Sequence, residues 1–248
     1  MIFEICILHI LNFKIMNTLS KFTLIFMLAA GMLIACSAPS ADQQAEAAAP
    51  ETAAAEEAAP AADAPAANGD AMAFQEGIVT WIGSKAIGGG KHNGTVNISG
   101  GNLVVADGNL VGGEFTLDMN TITCIDLADK PEKKANLEGH LKTGDFFEVE
   151  TYPTATFQIT GAEALAEATE DATHTVSGNL TMRGVTKPIS FPAKVTIADG
   201  MVSAQTPEFA INRTEWGVNF RSSIMGVAKD ILINDDIVLA INIKAGKS

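Results

Sequence analysis

The chain reads as an all-β domain of many short antiparallel strands with a single helical break, and three observations carry that reading. Apolar and polar residues alternate over Gly113 to Asn120, Ser177 to Arg183 and Ile189 to Ile197, the two-residue period of a half-buried strand. Turn residues punctuate these runs at Gly88-Gly89-Gly90, Gly100-Gly101, Asp107-Gly108 and Asp199-Gly200, spacings that favour hairpins. One central stretch, Leu137 to Gln158 (LEGHLKTGDFFEVETYPTATFQ), breaks the alternation. Such a pattern fits a sandwich or a barrel, and composition alone leaves both open.

The first 35 residues read as an address. From Met16 the sequence runs MNTLSKFTLIFMLAAGMLIAC: Lys21, an apolar run from Phe22 to Leu33, then Leu33-Ile34-Ala35-Cys36. That order resembles a bacterial lipoprotein signal, with Cys36 as the acylated residue. The run is short for a membrane span, which takes about 20 apolar residues. Met1 to Ile15 places Glu4 and a second apolar run ahead of the basic start, so Met16 is the expected initiator. Residues 36–73 then form a tether of alanine, proline and acid, too poor in bulky apolar groups to offset its ordering entropy. As a flexible coil it would span about 30–35 Å. The expected domain is 74–248, enough chain for one substantial core.

Charge excludes one class of partner. The chain carries a formal net charge of −13, and Asp42, Glu46, Glu51, Glu56, Glu57, Asp63 and Asp70, with no lysine or arginine among them, put about half of it in the tether. An acidic chain with no basic stripe repels phosphate backbones, so nucleic acid is not an expected partner.

Within the domain, Phe115, Leu117 and Met119 share one face of a strand, as do Gly178, Leu180 and Met182, and Ile189, Phe191, Ala193, Val195 and Ile197. The last strand, Asp236 to Ile243, is apolar at nearly every position and is expected to be covered on both sides. The helix starts at Asp129-Lys130-Pro131, where proline's missing donor costs nothing, and places Leu137 and Leu141 on one side. Gly144 is expected to stop it and Asp145 to bond the next backbone donors. Phe146 and Phe147 cannot share one face of a strand, so at least one ring turns inward. Tyr152-Pro153 forces extended backbone, after which Ala155, Phe157 and Ile159 alternate as an inner face.

The run L-x-x-H-L-K-x-x-x-F-F-x-V-x-x-Y-P-x-A-x-F from Leu137 resembles the signature of the YceI family of bacterial lipid-binding envelope proteins. Gly83 to Gly94, Gly112 to Asn120, Ser177 to Pro188 (SGNLTMRGVTKP) and Arg213 to Val218 (RTEWGV) agree in the same order. The resemblance implies a lipocalin-like, eight-stranded antiparallel β-barrel with helical segments near its opening and an apolar lumen. It further implies a long apolar ligand: a polyisoprenoid lipid, an isoprenoid quinone or a fatty amide. The residues expected at the lumen or mouth are Phe115, Leu117, Met119, Phe146, Phe147, Phe157, Leu180, Met182, Phe191 and Trp216. His92 and Arg213 are expected at the ligand's polar head. The implied setting is the periplasm, on a lipid anchor in the outer rather than the inner membrane.

Chemistry is otherwise sparse. There is no CxxC, HExxH, GxSxG or phosphate loop, so no catalytic residue and no cofactor other than a bound lipid or quinone is expected. His92 in a glycine-rich turn, His140 and His174 stand apart in sequence, which predicts no metal site. Cys124, the one thiol left in the domain after processing, is expected to be a small buried apolar residue. Arg213 either pairs with an acid at the rim or meets the ligand, and packing is the default for Trp216. The rivals to a binding barrel are an enzyme acting on a lipid headgroup and a structural envelope protein with a filled lumen.

Overall fold

The computed structural model describes residues 67–247. The signal region, Cys36 and nearly all of the tether lie outside the described residues.

Nine strand segments and one helix follow in order: β1 (Asp70–Ser84), β2 (Lys91–Ala106), β3 (Asn109–Cys124), α1 (Pro131–Leu141), β4 (Thr154–Ala164), β5 (His174–Met182), β6 (Val185–Ala198), β7 (Met201–Gln205), β8 (Phe209–Asn212) and β9 (Asp236–Gly246). Consecutive strands pair antiparallel from β1 to β7, and β9 returns to β1 to close the sheet. Segments β7 and β8 both lie against β9 and act as one strand broken at Pro207. Thr206 spans the break, its N–H donating to the Ile241 carbonyl at 3.0 Å and its hydroxyl accepting the Ile241 N–H at 2.9 Å. The result is the expected eight-stranded closed barrel.

The inner faces are those of the alternating pattern. Phe115 and Met119, Gly178, Leu180 and Met182, and Phe191, Ala193 and Val195 are buried, with polar neighbours outside. Three details depart from expectation. First, Gly100-Gly101 is no turn: it lies inside β2, where register shifts bring Gly101 opposite Phe115 and Gly113 opposite Leu103. Gly101 (φ +143°) and Gly113 (φ +123°) let the two backbones cross closely, since a Cβ on either would meet a carbonyl oxygen of the other strand at 2.2 or 2.4 Å. Second, β9 is not covered on both sides. Its alternate residues Val238 and Ala240 remain half-buried, because a barrel wall has one outer face. Third, α1 ends at Leu141, three residues before Gly144, and Asp145 bonds the His140 ring at 2.8 Å rather than backbone donors.

The sheet also begins earlier than expected. Asp70 to Ala73 pair with Asn102 to Val105, and Met72 is 4% exposed in the core, so the boundary at Phe74 falls inside β1. Met72→Ala should therefore cost about 2–5 kcal/mol, the usual range for truncating a buried large side chain. Urea denaturation of the two chains would measure it, and an unchanged midpoint would mean that this end of β1 frays.

Pairing is incomplete at the seam between β6 and β8. Segment β8 bonds β9 alone, and the first half of β6 lacks a strand on that side because Pro188 and Pro192 have no donors to offer. The Phe191 and Phe209 rings, stacked at 4.5 Å, fill the seam instead.

Candidate functional site: an apolar lumen beneath a capped mouth

The two longest connections of the barrel, both with helical turns, lie at one end. Residues 125–153, which include α1, and residues 213–235, with short 3-10 turns at Arg213–Trp216, Ser223–Met225 and Lys229–Ile231, both sit there beside the β1–β2 loop. Arg183, in the β5–β6 hairpin, ties the two segments together. Its guanidinium donates to the Gly217 carbonyl at 2.7 Å and to Glu148 Oε2 at 3.2 Å. The β1–β2 loop joins them through the Ala86 N–H, which donates to the Leu232 carbonyl at 3.0 Å.

Under this cap lies a cavity of about 130 Å³. Its wall includes Leu117, Met119, Phe146, Phe147, Leu180 and Met182 of the expected set. Both phenylalanines of the 146-147 pair reach it, because Gly144 to Phe147 forms a turn in which adjacent side chains are not forced apart. Phe115, Phe157 and Phe191 line a second, smaller void of about 20 Å³ further down the barrel. The rings of Phe115, Phe157, Phe191 and Phe209 form a chain with centroid separations of 4.5 to 5.4 Å. Phe157 lies over Gly178, with a ring atom 2.4 Å from where a Cβ would stand. A glycine in the inner face is thus what makes room for the ring.

Trp216 packs rather than lines. It is 1% exposed, and its indole N–H donates to the Leu180 carbonyl at 3.0 Å. Arg213 borders the cavity at 2% exposure, but all three of its nitrogens are engaged. Nε donates to the Asn234 carbonyl at 3.0 Å, Nη1 to that of Val218 at 2.6 Å, and Nη2 to that of Ile233 at 3.2 Å, with Asp235 Oδ1 at 3.5 Å. Burial pulls this guanidinium below its ordinary pKa, and the Asp235 charge opposes the pull. His92 does not line the cavity.

Sequence reasoning missed several lining residues, among them Trp81, Ile211, Val218 and Ile233. Trp81 matters most: its buried indole N–H has no partner among the described residues. A period-two count along β1 from Val79 would have placed it inward. Phe220 was also missed. It stands edge-on to His140 at 4.8 Å and tilted against Phe146 at 5.3 Å, within the cap.

The histidines stay apart from one another, but two of them meet an aspartate. His140 Nε2 meets Asp145 Oδ2 at 2.8 Å, and His92 Nδ1 meets Asp126 Oδ2 at 2.9 Å. Cys124, 0% exposed, is more than an apolar filler, since its thiol donates to Asp126 Oδ1 at 3.2 Å. Burial and the Asp126 carboxylate push that thiol above its ordinary pKa.

Three carboxyls near the cap are held below their ordinary range. For Asp126, burial pushes up, but the Asn93 N–H, His92 and the Cys124 thiol outweigh it and bring the value to about 2. Glu138 is lowered, against burial, by the Thr123 hydroxyl, the Cys124 N–H and Lys134; Asp235 is lowered, against burial, by Ser222, Ser223 and Arg213. A carboxyl lowered on folding adds stability above its unfolded value, and that stability is lost as pH falls through the folded one. The melting temperature should therefore fall between about pH 4 and pH 2, and Asp126→Asn should flatten part of that fall. Equal slopes in the two chains would show that Asp126 does not contribute.

Among relatives, "UPF0312 protein" of Pseudomonas aeruginosa strain LESB58 is 41% identical over 61 residues, covering 25% of this chain and 29% of its own length. The protein of the same description from Azotobacter vinelandii is 40% identical over 60 residues, covering 24% and 29%. The chain thus spans less than a third of the length of these curated relatives. Among solved structures, BcnA of Burkholderia cenocepacia is similar with a TM-score of 0.48 and 16% identity, covering 68% of this chain and 96% of that one. A polyisoprenoid binding domain from Saccharophagus degradans has a TM-score of 0.48 and 14% identity, covering 71% and 98%. A family model described as a YceI-like domain matches residues 76–245, most of the described barrel, and the chain belongs to that family.

Proposed function

We propose that the barrel takes up one long apolar molecule, a polyisoprenoid lipid, an isoprenoid quinone or a fatty amide, for sequestration or transport, and carries out no reaction on it. The observation that carries this reading is the cavity, whose wall is apolar apart from an arginine with every nitrogen already bonded. Each methylene buried there contributes about 0.8 kcal/mol. Trp81 on the same wall keeps a buried indole N–H with no partner among the described residues, and a turn of the ring would offer that donor to a quinone or amide carbonyl. A void of about 130 Å³ is close to the size of the apolar cavity that holds a benzene ring. A longer chain therefore has to swing the Phe115 and Phe157 rings aside, which joins the upper void to the lower one.

The small void also favours a second reading, a structural barrel that stays filled by its own side chains. Organic extraction of the purified full chain, followed by mass spectrometry, separates the two. A stoichiometric isoprenoid or acyl species supports uptake. Empty extracts, together with failure to take up added quinone or fatty amide, support the filled barrel.

The proposed setting is a membrane of the bacterial envelope, with the barrel in the periplasm on a lipid attached to Cys36. Two chains keep a protein on a bilayer where one does not, which suits an acylated diacylglycerol anchor. Labelled palmitate should enter the full chain, and Cys36→Ser should lose the label and leave the membrane fraction. Label retained in Cys36→Ser would overturn the anchor.

A further inference from the structure

Three metal-ligating groups of different chemistry converge outside the lumen. His92 stands near the start of β2, Cys124 is the last residue of β3, and Asp126 follows in the next turn. The His92 Nδ1, the Cys124 Sγ and a carboxylate oxygen of Asp126 lie within 4.8 Å of one another. Neighbouring backbone holds this arrangement in place. The Asn93 N–H donates to Asp126 Oδ1 at 2.8 Å, and the Ile125 N–H donates to the Asn93 carbonyl at 2.8 Å, pinning the β2 and β3 ends together. On the other side, Glu138 of α1 accepts the Cys124 N–H at 2.7 Å and the Thr123 hydroxyl at 2.6 Å. Gly94 permits the close approach, since a Cβ there would stand 1.8 Å from the Thr123 carbonyl oxygen.

We propose that His92, Cys124 and Asp126 form a site for a divalent transition-metal ion of borderline softness, zinc(II) in the first instance. The donor set decides the class of ion. A thiolate disfavours magnesium and calcium, whereas one sulfur, one imidazole nitrogen and one carboxylate oxygen make a ligand set that zinc accepts. Three protein ligands leave a fourth, tetrahedral position to water. That position faces outward, because the His92 and Asp126 side chains are 47% and 28% exposed while the sulfur is enclosed.

The geometry needs little change. With Zn–S near 2.3 Å and Zn–N near 2.0–2.1 Å, the edges of a tetrahedral site are about 3.5 Å. Closing the three groups around an ion takes about 1 Å of movement, which the exposed imidazole can supply. The ion takes the place of the hydrogen bonds that the Cys124 thiol and the His92 ring make with Asp126. The thiol proton leaves to solvent, and the single imidazole proton exchanges through solvent to Nε2, so that Nδ1 is free to bind and one proton is released.

Cobalt(II) reports such a site through the thiolate-to-metal charge-transfer absorption in the near ultraviolet. Untagged full-length chain, kept reduced with a phosphine, would be titrated with cobalt(II) beside Cys124→Ser, His92→Ala and Asp126→Asn. The wild type should develop a saturable band that zinc(II) displaces and magnesium does not. Any absorption from Cys6 or Cys36 persists in Cys124→Ser, so the difference between these two chains is the signal. His92→Ala and Asp126→Asn should each weaken binding at least about tenfold. His92 is exposed, and metal-free melting curves of each variant show whether it folds. A wild-type band no stronger than that of Cys124→Ser overturns the site, and an unchanged affinity in both His92→Ala and Asp126→Asn does so too.

Discussion

Leu180→Asp should abolish uptake of an apolar ligand, whereas Thr181→Asp, one residue along, should leave it intact. Leu180 is 8% exposed on the inner face of β5 and lines the cavity, between Phe157 of β4 and Lys187 of β6 in register. A carboxylate there finds no buried cation, because Lys187, opposite it in register, is exposed to solvent and all three nitrogens of Arg213, which borders the same cavity, are already bonded. The group must stay neutral or draw water into the lumen, and either outcome removes the apolar surface a ligand would bury. The accompanying loss of stability should be about 3–5 kcal/mol, in the range for an uncompensated buried charge. Thr181 faces outward and only trades a hydroxyl bond with Thr186 across the hairpin at 2.8 Å. Leu180→Met conserves volume and should cost less than about 1.5 kcal/mol. Displacement of an apolar fluorophore, run beside urea denaturation, would measure both effects. If Thr181→Asp abolished uptake while Leu180→Asp did not, the lumen would not be the binding site.

The inner faces were legible because a barrel wall imposes the same two-residue period on every strand. Phe115 and Met119, or Leu180 and Met182, announce themselves by alternation. Closure was not legible in this way. The pair that seals the barrel joins β1 to β9, opposite ends of the domain, and no local pattern records it; the resemblance in spaced motifs supplied it. Gly100-Gly101 misled because glycine serves a turn and a close backbone crossing equally well, and only the matching Gly113 on the partner strand separates the two. The uniformly apolar β9 misled because Val238 and Ala240 are small enough to sit half-exposed on an outer face.

The candidate site divides along the same line. Lining residues on strands could be counted, but Phe220 and Ile233 lie in irregular segments where spacing carries no direction. His92 and Asp126 are separated by 34 residues, and their meeting depends on the bulged register between β2 and β3. An orphaned donor such as that of Trp81 is invisible until its neighbours are placed.

Arg213→Met should cost about 3–5 kcal/mol, although methionine roughly matches the aliphatic part of the side chain. The guanidinium serves three carbonyls, those of Val218, Ile233 and Asn234, that no neighbouring strand supplies with donors. Removing it leaves one buried and two half-buried acceptors unpaired and the Asp235 carboxylate without its cation, and the penalty for such orphans exceeds the modest net gain of making the bonds. Arg213→Lys should recover little, because a single ammonium cannot span acceptors that a planar fork reaches together. At the 2–4 °C per kcal/mol usual for a domain of this size, the Arg213→Met melting point should drop by about 6–20 °C. The loss should be local in its consequences. Residues 213–235 cap the cavity, so hydrogen exchange should quicken there before it does in β2 and β3, and an apolar fluorophore should enter faster. In a double-mutant cycle, Asp235→Asn should cost less in the Arg213→Met background than alone, because the charge it removes has already lost its partner. An Arg213→Met chain as stable as the wild type, with unchanged exchange at 213–235, would mean that water replaces the guanidinium at those carbonyls and that the cap is held by its apolar contacts alone.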